Sequence, residues 1–448
     1  MVVRTLVGLG IFGIFAIVPA ATICFAEPSA GETGVDPVAA ELEQLGADYD
    51  RVQNERIRAL PPDGGNVSDQ ELSDDEWMRQ GREWEAKYPD PDLVMLPGYV
   101  ALAEKYPQSP FALDALAFVI MRGGYHTGDV HGEPWQFKEQ AIDLVAKHHM
   151  ADPRVAYVFK LLAGSLPSQK AETFLRQALE RDPNRTVRAA AGYNLACYYR
   201  NLGKAHARSK QIMNQSAVAN HERFWKLVVA PYLEKEFPYD EAQVSAEIDQ
   251  VLGRVSDEYA DVAASQWNWS GPNRKFLQAQ EDRRPNTYGS LARSLRFELN
   301  HLVPGRQAPE IEGTDAAGNR FRLSDYRGKV VLLTFSANWC GGCVELYPLQ
   351  RKLVEQFRDE PFVLLSVSRD ENVETLRESI ASGKITWRCW WDGMEGPIYQ
   401  SWNSPGAPTI FVLDHRGIIQ DVHLNRATPP IEFEHVISQL LSKASAND

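Results

Sequence analysis

The stretch SANWCGGCVEL, residues 336–346, places two cysteines two residues apart, directly behind Trp339. The apolar run VVLLTF (330–335) precedes it and a helical pattern follows it. A strand that leads into a helix puts Cys340 at the helix N-terminus, where exposed amides and partial positive charge stabilise a thiolate and lower its pKa. Cys343 lies one turn further along, close enough to form a disulfide. The pattern predicts a redox pair with Cys340 as the nucleophile.

Two other kinds of site remain open for this pair, and both are less favoured. A zinc site needs four ligands, and the sequence has neither a second CxxC nor an HxxxH pair. A purely structural disulfide between such close cysteines encloses too few residues to restrict the unfolded chain much.

Two further apolar runs, FVLLSV (362–367) and TIFVLD (409–414), extend the strand pattern around the cysteines. Runs rich in β-branched residues suit strands that are buried on both faces. Helical segments follow both the first strand and the run at 362–367, and the order strand–helix–strand implies a right-handed crossover and a parallel pair. The sequence therefore predicts an α/β domain over residues 301–448.

The segment GRQAPEIEGTDAAGNRFRLSDYRGKVVLLTFSANWCGGC (305–343) resembles the start of a thioredoxin-like domain of the TlpA/ResA class, within the wider AhpC/TSA-related redoxin group. GAPTIFVLDHRG (406–417) is similar to the second motif of that family, and ITWRCWWDG (385–393) is similar to the segment inserted before it. The resemblance covers about residues 305–448. It implies a thioredoxin-like fold and a thiol-disulfide oxidoreductase of the protein disulfide reductase type.

The resemblance also implies a role for each residue of the site. Cys340 attacks a substrate disulfide, Cys343 resolves the mixed disulfide, and Trp339 shields the pair. Pro408 is the cis-proline beside the cysteines, and with Ala407 it lines the edge that binds the substrate peptide. No organic cofactor or metal is expected; the partners are a disulfide-bearing protein substrate and a membrane or periplasmic electron donor.

The sequence departs from the family where carboxylates usually accept the proton of the second cysteine. Many members have a glutamate three residues after that cysteine, where this chain has Leu346, with Glu345 one position early. Thioredoxins have a buried aspartate six residues before the first cysteine, where this chain has Thr334. The Gly-Gly dipeptide between the cysteines replaces commoner pairs and leaves the direction of electron flow open.

Peroxiredoxins are a related class with different chemistry. Their Pro-x-x-x-Thr-x-x-Cys loop would require proline and threonine where this chain has Leu333 and Ala337. Peroxidase activity is therefore not expected.

The N-terminus predicts export. Residues 1–26 have one charge, Arg4, before a long apolar stretch, and small residues Cys24 and Ala26 precede Glu27 as in a cleavable signal peptide. Two alternatives remain: an uncleaved membrane anchor over residues 5–23, and a lipoprotein site at Cys24. We expect a periplasmic or cell-envelope protein.

The region between the two ends is predicted to be all-α. Residues 27–67 form a linker and an amphipathic helix, and residues 68–300 alternate Ala- and Leu-rich segments with short Pro-containing breaks. The stretch 171–203 resembles a tetratricopeptide-type hairpin, whose stacked forms present a groove for a peptide or protein. The chain is thus predicted to be multidomain, with an N-terminal helical-repeat-like region and a C-terminal α/β thioredoxin-like domain. An alternative function makes the helical region an interaction module, with the redoxin domain as an accessory or a thiol-sensitive switch.

Charge and the remaining polar motifs limit other functions. The net charge of −13 argues against nucleic-acid binding, which needs a basic face. One glycine-rich loop has four side chains that could ligate a metal: His126, Asp129, His131 and Glu133. The favoured interpretation is a polar surface loop.

The two cysteines outside the pair and the N-terminal segment are Cys197 and Cys389. Cys389 lies in an apolar, tryptophan-rich context and Cys197 in a predicted helix, and each is expected to behave as a small buried hydrophobe. A disulfide between them is the alternative.

Overall fold

The computed structural model describes most of the chain from Asp36 onward. The described residues are 36–59, 73–87, 90–123, 133–214, 223, 225–238, 240–264, 287–394, 396–403, 407–421, 424, 428 and 430–445. The predicted signal peptide and the loop with His126, Asp129 and His131 lie outside them. Within the described part, every helix is too short or too polar to span a bilayer.

The chain divides into two compact units, Met1–Ala292 and Arg293–Asp448. The first is built from helices, as predicted. Its helices are α1 (Pro37–Ala59), α2 (Asp74–Lys87), α3 (Pro91–Lys105), α4 (Pro110–Arg122), α5 (Glu133–His148), α6 (Val155–Gly164), α7 (Gln169–Arg181), α8 (Arg185–Met213), α9 (Ala230–Glu236) and α10 (Glu241–Glu258), with a π-helical turn at Trp225–Val229. Helix α11 (Tyr288–His301) spans the boundary between the units.

Local sequence signals start several of these helices. Asp90 and Ser109 each precede a proline at the first helical position, and each side chain accepts a backbone N–H of the first turn. Ser168, Asn184 and Asp240 cap α7, α8 and α10 in the same way. A side-chain oxygen at the N-cap satisfies one of the amides that the first turn leaves without a helical partner.

The predicted hairpin corresponds to α7 and α8, which pack against each other. Ala178 and Leu179 of α7 are buried, as are Leu195 and Ala196 of α8. A Cβ at Gly192 would lie 2.8 Å from Val255 Cγ2, so this glycine allows α10 to pack closely on α8. The tetratricopeptide-like character of the region stays a prediction.

The second unit is the predicted α/β domain. After the short antiparallel pair β1 (Glu312–Thr314) and β2 (Arg320–Arg322), five strands form one sheet in the order β5–β4–β3–β6–β7. These strands are β3 (Val330–Ser336), β4 (Phe362–Ser368), β5 (Arg388–Trp391), β6 (Thr409–Leu413) and β7 (Ile419–Asp421). The helices of the unit are α12 (Gly341–Gln356), α13 (Val373–Ala381), α14 (Pro397–Ser401) and α15 (Pro430–Ser445).

The central strands are parallel, as the strand–helix–strand order predicts. Strand β3 pairs in parallel with β4, and β4 with β5, whereas β6 and β7 are antiparallel to their neighbours. Every residue of β3 is buried. Val330 and Leu332 belong to the core cluster that contains the two cysteines, and Val331 and Leu333 belong to the cluster on the other face. The continuous apolar run in the sequence follows from burial on both faces.

Candidate active site

The cysteine pair lies where β3 ends and α12 begins. The backbone N–H of Cys340 donates to Ala337 O at 3.2 Å, which closes a tight turn between the strand and the helix. Cys340 is the N-cap of α12, and its Sγ accepts the backbone N–H of Cys343 at 3.2 Å. The sulfur thus lies against the positive end of the helix, the environment that stabilises a thiolate.

Cys340 and Cys343 form a disulfide, with their Cα atoms 5.3 Å apart. Cys340 is 8% exposed and Cys343 is 1% exposed. An attacking group from solvent therefore reaches Cys340 more easily than Cys343. The nucleophilic and resolving roles of the two residues stay predictions.

The structure brings the predicted proline motif to the same place. The Ala407–Pro408 peptide bond is cis, as the resemblance implies. Ala407 O lies 3.3 Å from Cys340 Sγ, although 67 positions separate the two residues in the sequence. Pro408 directly precedes β6, which pairs with β3 and so carries the motif to the cysteines.

Trp339 is the outermost of the predicted site residues. Its side chain is 42% exposed, and its indole Nε1 donates to Arg369 O at 3.4 Å. This hydrogen bond holds the indole next to the residue that follows β4, beside the redox pair. The shielding role of Trp339 stays a prediction.

The sequence analysis did not identify Asn338 and Asp370, which hold the turn before Cys340. Asp370 Oδ1 accepts the Asn338 backbone N–H at 2.7 Å, and its Oδ2 accepts Asn338 Nδ2 at 2.8 Å. The aspartate is 2% exposed. Its position three residues after the run at 362–367 could have indicated it, because parallel neighbouring strands end at the same edge of a sheet.

A row of small polar residues crosses the sheet face that carries the cysteines. Thr334, Ser366 and Cys389 are neighbours across β3, β4 and β5. Cys389 Sγ lies 2.8 Å from Ser366 Oγ, which also accepts the Trp387 indole N–H at 3.0 Å. Burial raises the pKa of the Cys389 thiol to about 12, so this third sulfur of the core stays protonated at neutral pH.

The positions of the two missing family carboxylates are apolar or neutral. Leu346 is buried in the core cluster of the cysteines, and Thr334 is buried with its Oγ1 lacking a hydrogen-bond partner among the described residues. The buried carboxylate beside the turn is instead Asp370, two residues after β4.

Cys197 is buried in α8 of the helical unit, and neither Cys197 nor Cys389 forms a disulfide. Both agree with the expectation of small buried side chains.

Comparison with known proteins assigns the C-terminal part. The sequence model that describes the AhpC/TSA family matches residues 304–422 of this chain. The thioredoxin-like protein YneN of Bacillus subtilis is 30% identical over 129 residues, which cover 28% of this chain and 75% of YneN. The thiol-disulfide oxidoreductase ResA of Geobacillus kaustophilus is 28% identical over 125 residues, covering 28% of this chain and 71% of ResA.

Solved structures give similar matches. The thioredoxin domain of a thiol-disulfide oxidoreductase from Bacteroides vulgatus is 27% identical, with a TM-score of 0.28, and the alignment covers 30% of this chain and 98% of that domain. A thiol:disulfide interchange protein from Bacteroides sp. is 28% identical, with a TM-score of 0.28, and the alignment covers 30% of this chain and 91% of that protein.

Proposed function

Because this chain belongs through its C-terminal domain to the AhpC/TSA family and is a thioredoxin-like thiol-disulfide oxidoreductase, we propose a specific role for it. We propose that it is an exported reductase of protein disulfides and that it acts through Cys340 and Cys343. Trp339, Ala407 and Pro408 complete the surface that receives the substrate.

The environment of the Cys340 sulfur is the observation that carries the proposal. Sγ accepts an amide N–H from the first turn of α12 at 3.2 Å and lies 3.3 Å from Ala407 O, next to the cis-proline. The first contact favours the thiolate. The second marks where an extended substrate segment can lie along the residues before β6, with its disulfide against the nucleophile.

The reaction consists of two thiol–disulfide exchanges. The Cys340 thiolate attacks one sulfur of the substrate disulfide, a mixed disulfide forms, and the other substrate sulfur leaves as a thiolate. Cys343, once deprotonated, attacks Cys340 Sγ, which breaks the mixed disulfide and releases the second substrate thiolate. Two electrons pass to the substrate, whose thiolates take up protons, and the chain is left with the Cys340–Cys343 disulfide.

The sequence supports export and the type of partner. Its predicted N-terminal signal would direct the chain to the periplasm or cell envelope, an oxidising compartment in which proteins carry disulfides. A reductase there needs a donor that returns two electrons to the Cys340–Cys343 disulfide after each cycle. We assign this role to a membrane or periplasmic dithiol protein.

Trapping of the mixed disulfide tests the proposal. In the full chain, Cys343→Ser lacks the resolving sulfur, so a substrate disulfide should accumulate as a covalent adduct on Cys340. Cys340→Ser should form no adduct and should reduce no disulfide. Cys389→Ala is the matched control, because it removes a buried thiol of the same core and should leave turnover unchanged.

A redox titration of the full chain, with thiol trapping and peptide-resolved mass detection, determines the direction. A two-electron midpoint of about −270 mV, the thioredoxin value, or lower supports a reductant. A midpoint of about −120 mV, as in the strong oxidant DsbA, would make the chain a disulfide donor instead. If Cys340 and Cys343 show no reversible redox couple, the result contradicts the proposed enzymatic function. The alternative, an interaction module formed by the helical unit, would then be favoured.

A further inference from the structure

The turn that carries the nucleophile has two central residues, Asn338 and Trp339. The turn is closed by the hydrogen bond from Cys340 N–H to Ala337 O. The conformation of Asn338 and Trp339 therefore determines how the chain enters α12 at Cys340. The end of β4 runs beside this turn, and the Arg369 N–H donates to Ser336 O at 2.9 Å.

A buried carboxylate holds Asn338 from the β4 side. Asp370 accepts both the backbone N–H and the side-chain Nδ2 of Asn338, at 2.7 and 2.8 Å. Its Oδ2 also accepts the Ser368 hydroxyl at 2.8 Å, which orients the carboxylate. Hydrogen bonds to an ionised group are stronger than neutral ones, and burial strengthens them further.

A second set of contacts holds the same side chain from the opposite side. Asn338 Oδ1 accepts the Ser379 hydroxyl at 2.9 Å and the Lys384 ammonium at 3.1 Å. Ser379 lies in α13, and Lys384 lies in the segment between α13 and β5. The Asn338 amide thus bridges a buried carboxylate and a lysine, and elements 32 to 46 positions away in the sequence hold one residue of the turn.

This arrangement bears on the equilibrium between dithiol and disulfide. Closing the disulfide requires that the two sulfurs meet, so its equilibrium constant depends on how far the reduced turn already holds them together. Fixing the backbone of one residue changes an equilibrium constant about five- to thirtyfold. A turn held in place by Asn338 has already lost this freedom in the dithiol form.

We propose that Asn338 is a positioning residue for the redox pair, and that Asp370, Ser379 and Lys384 act through it to favour the disulfide form and so make the pair more reducing. The proposal rests on the redox function proposed above. The contact set does not touch the sulfurs, and it acts by restricting the turn that leads to Cys340.

Asn338→Ala tests the proposal without changing the charge of the chain. Equilibration of the full chain with a dithiothreitol or glutathione buffer gives the exchange equilibrium constant. We expect the variant to shift toward the dithiol about tenfold, which is about 30 mV less reducing. Asn372→Ala is the matched control, because Asn372 is an exposed asparagine of the same unit whose side chain makes no capping bond.

The midpoint potential separates positioning from general stability. A merely structural role would lower the melting temperatures of the oxidised and reduced forms alike and leave the midpoint unchanged, and that result would overturn the proposal. Ser379→Ala removes a single hydrogen bond, and we expect an about twofold shift in the same direction. If Asn338→Ala does not fold, an unchanged midpoint in Ser379→Ala decides against the proposal.

The failures of the two proposals look different. A wild-type chain without a reversible couple contradicts the proposed function. A wild-type couple that neither variant shifts contradicts the positioning role alone.

Discussion

Cys389, the third cysteine in the core of the second unit, should react only very slowly with alkylating reagents, and the expected rate follows from its surroundings. Cys389 is 2% exposed, and burial raises the pKa of its thiol to about 12. Only the thiolate reacts with an alkylating reagent. At pH 8 a thiol with this pKa is about 0.01% ionised, whereas an ordinary thiol with a pKa of about 8.5 is roughly one quarter ionised. The thiolate fraction alone therefore slows alkylation about two thousandfold, before any loss of access is counted.

The assay compares the native chain with the chain unfolded in guanidinium chloride, both fully reduced. Iodoacetamide is added at pH 8, and the alkylated fraction of each cysteine is followed by peptide mass spectrometry. We expect Cys389 to react at least about a thousandfold more slowly in the native chain than in the unfolded one. Cys340, at the N-terminus of α12, should react first in the native chain.

The pH dependence gives a second, independent check. Because the pKa is raised, the native rate at Cys389 should still climb about tenfold per pH unit between pH 8 and pH 10. In the unfolded chain the rate should level off above about pH 8.5. A native rate within a factor of ten of the unfolded rate would refute the reasoning, because it would mean that the thiol is not held protonated in the core.

Two further predictions concern the helical unit. Lys138 is fully buried, and burial lowers its pKa to about 7. From about pH 7 to pH 10 the unfolded chain therefore binds a proton that the folded chain does not, so the free energy of unfolding rises with pH by up to about 1.4 kcal/mol per pH unit. Lys138→Met should remove this rise. Guanidinium unfolding at several pH values measures this, and an unchanged pH slope, or an equal change in the exposed control Lys147→Met, would contradict it. Arg154 forms a buried ion pair with Asp114, with Nη1 2.8 Å from Oδ1, and Arg154→Met should cost about 3–5 kcal/mol because it leaves the carboxylate buried without this partner. A loss no larger than that of Arg181→Met, measured by the same unfolding experiment, would count against the prediction.

The parts of the fold that the sequence predicted well are those that local signals specify. Apolar runs of β-branched residues marked β3, β4 and β6, because strands buried on both faces need apolar side chains at every position. The position of Cys340 as the N-cap of α12 followed from a strand that runs directly into a helical pattern. Strand β5 was harder to identify, since RCWW is only four residues long and begins with an exposed charge before its buried residues.

The parts that the sequence analysis missed depend on contacts between distant segments. Asp370 looked like an ordinary acidic residue after a strand, and Asn338 like a polar residue in a turn. Their pairing requires the parallel register of β3 and β4, in which Ser336 lies opposite Ser368.

The sequence by itself determined the local geometry around the cysteine pair and predicted its chemistry. A CxxC pair after a buried strand predicts a thiol nucleophile at a helix N-terminus, because strand periodicity, helix start and cysteine spacing are all properties of a few consecutive residues. Only the tertiary structure decided what surrounds that pair: Ala407 O beside Cys340 from 67 positions away, and the contacts of Asp370, Ser379 and Lys384 with Asn338. Those contacts arise from the register and packing of the strands, which side chains distributed over the whole domain fix together.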